Sequence, residues 1–317
     1  MENNLEEEIV SRIVDYLVDY AEKSENPFLD IDEAIENLVP ISFNGKNDFI
    51  DKIENSCKSK GYDDKESRKQ AVYSNCGGTV GINIMGKEIA LCLDETNPSL
   101  YHLIEPISHE IYHGLITPYN NLYQSVVHDK KDENIKRSII SIFGWKILDE
   151  GLGEWVCEKV KEKFEEENDC EKYKTPHPQA FESIDEKYKL YVDEYFKKFE
   201  EEVQFKNIEN LKIETYTSGL DICKKIEEKF GEDTVPFAIT SILNHYSLYN
   251  SVDDEIVNEY SKIHGSQERE LYRMKKRFDT NPVKVALKLA EMPVPEDYKR
   301  NDTNQLKEII DSIISEI

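Results

Sequence analysis

The chain has 317 residues and a formal net charge of −25, from 40 Lys+Arg against 65 Asp+Glu. A surface this acidic repels phosphate backbones and anionic headgroups, so neither a nucleic acid nor a charged membrane surface is an expected partner. Hydrophobic residues make up 38% and charged residues 33%, a balance that supports a folded core and argues against wholesale disorder.

The opening segment MENNLEEEIV is acidic and lacks the positive n-region and apolar h-region of a secretory signal. No apolar run approaches the roughly 18 residues that a membrane span needs. Six cysteines (Cys57, Cys76, Cys92, Cys157, Cys170 and Cys223) are scattered without a C-x-x-C pair. That pattern predicts buried, reduced thiols, and the expected location is the cytoplasm.

In chain order, Leu5, Ile9, Ile13, Leu17 and Val18 recur at helical spacing opposite Glu6, Glu7, Asp15 and Asp19, which predicts an amphipathic packing helix. Short helices are expected over 31–38, 47–60 and 64–72, interrupted at Pro40, Asn44-Gly45 and Gly61. The texture changes over Ala71 to Glu95. There, β-branched residues with turn signals at Gly77-Gly78 and Gly86-Lys87 predict two or three short strands, the sole β region expected. Helical patterning returns over 98–116, 132–168, 179–206, 217–230, 233–249, 251–278, 282–291 and 303–316. The fold class expected is α+β, mostly helical, with a small mixed or antiparallel sheet preceding the helix that carries the chemistry. The expected divisions are an N-terminal helical segment over 1–70, a small sheet with that helix over 71–117, and a helical part over 118–317.

The chemistry lies in His109, Glu110, Ile111, Tyr112 and His113, the pattern HExxH. Histidines at i and i+4 share one helix face a single turn apart, so both imidazoles reach one Zn²⁺ while the glutamate between them reaches its water. Five letters recur by chance on the order of one or two times in a hundred chains of this kind, so the surroundings must decide. The motif sits in LYHLIEPISHEIYHGLI, an amphipathic stretch whose Pro106 implies a helix that kinks or restarts just before the metal-binding turn. The strand EIALCLDE directly precedes it, and a free sheet edge there would hold an extended peptide by main-chain hydrogen bonds.

A catalytic zinc needs a third protein ligand and an open fourth position. Downstream, Leu148, Asp149, Glu150, Gly151, Leu152, Gly153, Glu154 and Trp155 follow the metal motif. HExxH followed by such a helix resembles the gluzincin metallopeptidases, the thermolysin and aminopeptidase-like branch of the zincins. The resemblance is strongest over residues 79–160. It implies a zincin-like fold, one Zn²⁺ per chain held by His109, His113 and Glu150, and Glu154 as the carboxylate that orients a zinc-binding histidine. Gly151 and Gly153 would let the ligand helix pack closely against the metal-binding helix. The spacing of 37 residues from His113 to Glu150 departs from the short thermolysin form.

Other third ligands stay open. The metzincin pattern would need a glycine at position 116 and a histidine at 119, where the chain has Ile116 and Tyr119. His128 and Asp129 lie 15 and 16 residues past His113 and are the loop alternatives; a helix with two incidental histidines and no metal is the bland one.

With zinc on His109, His113 and Glu150, the metal would lower the pKa of its water toward about 7 and polarise a carbonyl, while Glu110 takes the proton and returns it to the leaving amine. An oxyanion donor must come from elsewhere. Tyr216, in Tyr216-x-x-Gly219 ahead of a helix ending at Phe230-Gly231, is similar to a segment after the glutamate helix in several gluzincin families and is the candidate. His245 is its rival, and His264 and Tyr272 are remoter ones. His102 and His177 have no partner pattern and read as structural or surface residues.

The function expected is zinc-dependent hydrolysis of peptide bonds in a peptide or protein substrate. Small cytosolic zincins resembling the ImmA/IrrE regulators, which act on a specific protein partner, offer a second reading. A non-enzymatic acidic helical scaffold with a structural or degenerate metal site is the third.

Overall fold

A computed structural model of the chain describes residues 2–24, 31–84, 87–115, 135–167, 170–201, 206–248 and 281–317. The described residues form eleven α-helices and three strands: α1 (Glu2–Glu22), α2 (Ile31–Glu36), β1 (Ile41–Gly45), α3 (Lys46–Ser59), α4 (Asp64–Cys76), β2 (Gly81–Ile84), β3 (Glu88–Leu93), α5 (Ile104–Leu115), α6 (Ile135–Glu166), α7 (Glu186–Glu201), α8 (Lys206–Phe230), α9 (Thr234–Leu248), α10 (Asn281–Glu291) and α11 (Thr303–Glu316). The architecture is therefore mostly helical with one small mixed sheet, an α+β arrangement. Among the described residues no helix is long and apolar enough to cross a membrane. All six cysteines are free thiols, four of them buried. The helix expected over 251–278 falls outside the described residues.

Two compact units interleave along the chain. The first comprises Met1–Leu17, Asp32–Gly114 and Val156–Asn210, and the second Val18–Ile31, Leu115–Trp155 and Leu211–Ile317. In the first, β3 is the central strand of the order β1-β3-β2, parallel to β1 (Phe43 opposite Leu91) and antiparallel to β2 (Ile82 opposite Ala90). A central strand covered on both faces should read as a continuous apolar run, and Ile89 to Leu93 are all buried. Ala90 and Cys92 enter a core with Phe49, Ile50 and Ile53 of α3, Ala71 and Val72 of α4, and Tyr188 of α7.

Three elements differ from the sequence expectation. The β1 segment ISFNG, expected as a break between helices, is a strand because it pairs with β3 some 48 residues later, beginning with Ile41 opposite Ile89. The amide of its Asn44 also donates to the Leu91 carbonyl at 3.2 Å. A contact that distant leaves no local trace in five residues lacking clear alternation. Conversely, Ala71 to Cys76 belong to α4, whose buried face is Ser67, Ala71, Val72 and Asn75; the i, i+4 face outweighs the β-branched texture. The single helix expected over 179–206 is split. Asp185 N donates to Asn47 Oδ1 and Asn47 Nδ2 to the Ser183 carbonyl, both at 2.9 Å, which keeps residues just before α7 outside a helix.

In the second unit, α9, α10 and α11 pack on one another through residues that include Ile239, Ile242, Val285, Leu289, Leu306 and Ile310, all buried. Helix α8 ends at Phe230 because Gly231 turns to φ +109, a conformation side chains rarely tolerate. Its N–H returns to the Glu227 carbonyl at 2.9 Å.

Candidate metal centre

The metal helix starts where proline permits. A 3₁₀ turn over Leu100–Leu103 leads into α5 at Ile104, so Pro106 occupies the first α-helical turn, where backbone N–H groups have no intrahelical acceptor to lose. The restart expected from the sequence is thus observed, and its cause is local. Ile104, Ile107 and Ile111 are fully buried, and this apolar stripe seats the helix.

His109 and His113 follow on one face. Their rings cross at 81° with centroids 4.6 Å apart, and their Nε2 atoms are 3.0 Å apart. Two nitrogens bound to one tetrahedral zinc would be separated by about 3.3 Å, so the pair is close to chelating spacing. Binding a metal at these atoms requires both imidazoles to present a lone pair at Nε2.

Glu150 of α6 completes the group. It is 6% exposed, and one ligating atom from each of His109, His113 and Glu150 lies within 4.8 Å of the others. Two imidazoles and a carboxylate are the donor set of an open catalytic zinc site, three ligands with a fourth position left over. These residues could hold a metal ion, and their chemistry fits zinc, although the same atoms suit other divalent transition metals. Glu154 lies one turn beyond Glu150 on α6 and is half-buried.

Glu110 lies against the sheet. A Cβ built on Gly81 would stand 3.3 Å from Glu110 Cγ and 3.6 Å from Oε1. Gly81 opens β2, the strand on one side of the sheet. A side chain there would compete with the Glu110 carboxylate for space. Sequence reasoning did not single out Gly81, although a glycine inside the β-rich run Val80–Ile84 is a standard sign of close approach by another group.

The expected role of Gly151 is corrected. The atoms nearest a Cβ at Gly151 all belong to the backbone of Gly219 on α8, with its carbonyl oxygen at 2.8 Å. At Gly151, therefore, the close neighbour is α8. Four residues later Trp155, fully buried, donates from Nε1 to Glu227 Oε2 of α8 at 2.7 Å and meets Tyr20 edge-on at 5.5 Å.

Of the oxyanion candidates, Tyr216 lies on α8 one turn before Gly219, and His245 is half-buried in the last turn of α9. His245 is not a member of the converging group. His128, Asp129, His264 and Tyr272 lie outside the described residues. His102 bonds through Nδ1 to Ser99 Oγ at 2.8 Å, and His177 accepts from Gln179 N at 3.4 Å; both do local structural work, as expected. The chain matches no protein-family model, and comparisons with curated proteins and with solved structures give no match either.

Proposed function

We propose that this chain is a zinc-dependent metallopeptidase of gluzincin type. The observation that carries the proposal is the convergence of His109 and His113 on one helix with the buried carboxylate of Glu150 on another. When bound, zinc supplies Lewis acidity toward a carbonyl and lowers the pKa of a water in its fourth position. The chain's own residues do the rest. Glu110, between the two histidines, accepts a proton from the attacking water and delivers it to the leaving amine. Gly81 leaves its carboxylate room beside β2. Glu154 holds a histidine in its metal-binding tautomer, and Tyr216, or His245 in its place, donates to the oxyanion. An extended peptide would pair with the sheet edge next to Glu110. The net charge of −25 favours neutral or basic substrates over acidic ones.

The test is metal content with a single conservative variant. Purified protein should hold about one zinc per chain, and Glu110→Gln should keep the zinc while losing hydrolysis of a denatured protein substrate by roughly 10²-fold or more. Metal-free native protein sinks the proposal; zinc without hydrolysis favours the structural-site scaffold. Action on one specific protein and on no general substrate favours the ImmA/IrrE-like regulatory reading, which shares the short β segment just before the metal helix.

A further inference from the structure

We infer that Gly219 is a positioning residue for the metal centre: its missing side chain lets α8 seat on the backbone of Ile147 and Gly151, and so fixes where α6 presents Glu150. The inference rests on the zinc reading of the His109, His113 and Glu150 group and deepens it, because it names what sets the third ligand in place.

The crossing is backbone on backbone. A Cβ at Gly219 would overlap the Ile147 carbonyl oxygen and lie 2.7 Å from Gly151 Cα and 3.0 Å from Gly151 N. Ordinary carbon contacts lie at 3.5–4.0 Å, so one methyl would drive the two helices apart by on the order of 1 Å. No rotamer change can absorb this, since every atom in the way is main chain. The push falls on residues 147 and 151, which flank Glu150 in sequence. Metal–ligand distances tolerate only about 0.2 Å.

A second contact fixes the same stretch of α6. Trp155 Nε1 donates to Glu227 Oε2 at 2.7 Å. At 3.6 residues per turn, Ile147, Gly151 and Trp155 form one face, turned to α8, and Glu150 with Glu154 lie about 100° around the helix on the next. Helix α8 therefore grips one side of α6 before and after Glu150. Neither contact involves His109, His113 or Glu150 itself, so both act through Glu150.

The experiment measures zinc affinity by chelator competition, with the visible spectrum of the cobalt(II)-substituted protein as a report on the ligand set. Gly219→Ala should weaken zinc binding roughly 10- to 100-fold, the range for residues that orient a ligand without touching the metal, and should alter the cobalt bands in the same direction as Glu150→Ala. In the Glu150→Ala background, Gly219→Ala should add nothing further. Equal weakening in both backgrounds overturns the inference, as does a folded Gly219→Ala protein with wild-type affinity and spectrum. If Gly219→Ala does not fold, Trp155→Phe, which keeps a buried ring but deletes the bond to Glu227, takes its place. It should weaken zinc several-fold only when Glu150 is present, and a background-independent effect overturns the inference equally. Wild-type protein that binds no zinc is a different failure, of the metallopeptidase reading itself.

Discussion

Two glutamates are buried to nearly the same depth in different company. Glu54 of α3, 4% exposed, receives Lys58 Nζ at 2.8 Å, Arg68 Nη2 at 3.5 Å and the Tyr188 hydroxyl at 3.0 Å. Burial alone would raise its pKa, but the bonds from Lys58, Tyr188 and Arg68 outweigh that and hold it below the ordinary carboxylate range. Tyr188 is pushed upward by burial and by Asp51 and Glu54, the two acceptors of its hydroxyl. Glu150 of α6, 6% exposed, is instead grouped with the two imidazoles of α5. A buried carboxylate needs compensation. Around Glu54 the chain brings its own cations, whereas Glu150 stands with two imidazoles in a group that could also hold a metal ion.

The sharpest way to break this comparison is to truncate each glutamate and titrate zinc. Glu150→Ala should lower zinc affinity by about 100-fold or more, near 2.7 kcal/mol, since a direct ligand should matter at least as much as an orienting residue. Glu54→Ala should leave zinc affinity at the wild-type value. If both variants bind zinc as the wild type does, Glu150 is a second structural carboxylate, and the third ligand is to be sought near His128.

Zinc should also stabilise the fold selectively. At a free concentration of 100 times the dissociation constant, a ligand bound only by the native state adds about 2.7 kcal/mol. Thermal unfolding of wild type and of Glu54→Gln should both shift upward on adding zinc, while Glu150→Ala, with a roughly 100-fold lower affinity, should gain no more than about 0.4 kcal/mol at that concentration. A zinc-induced rise of equal size in all three proteins would place the metal elsewhere.

These two sites were not equally legible in the sequence. His109, Glu110 and His113 are spaced by the helix itself, so five letters suffice to see them. Glu150 needed a second motif, because nothing in the spacing of 37 residues from His113 encodes a meeting in space. The Glu54 network leaves no local mark in the sequence. It joins α3, α4 and α7, whose meeting depends on core packing around Phe49, Ile53 and Val72, and charged residues on striped helices read simply as solvated faces. The same limit explains β1, which exists by virtue of a strand far along the chain, and Gly219, whose partner Gly151 lies on another helix. Where one element carries the whole pattern, as with the stripe Ile9, Ile13 and Leu17 of α1, all fully buried, the sequence is sufficient.

A smaller effect comes from acid. A carboxyl held below its ordinary value contributes stability above the unfolded-state pKa, and that contribution is lost as pH falls through the folded-state value. For Glu54 the loss begins below the ordinary 4.5. Glu54→Gln should therefore cost about 1–3 kcal/mol at neutral pH, and below pH 4.5 its unfolding free energy should fall less steeply than that of the wild type. Parallel pH profiles for the two proteins would show that the Lys58 and Arg68 contacts contribute no net stability.

The smallest effect tests depth against proximity. Lys187 of α7 reaches Asp51 Oδ1 at 2.8 Å, and both side chains are 40% exposed, at the rim of the network whose centre is Glu54. Water screens such a pair, and ordering two flexible side chains offsets most of the Coulomb gain. Lys187→Ala should therefore change the unfolding free energy by less than about 1 kcal/mol, with the difference shrinking further in high salt. A loss as large as that of Glu54→Gln would mean that the cation count around the carboxylates, and not their burial, sets the stability of this cluster.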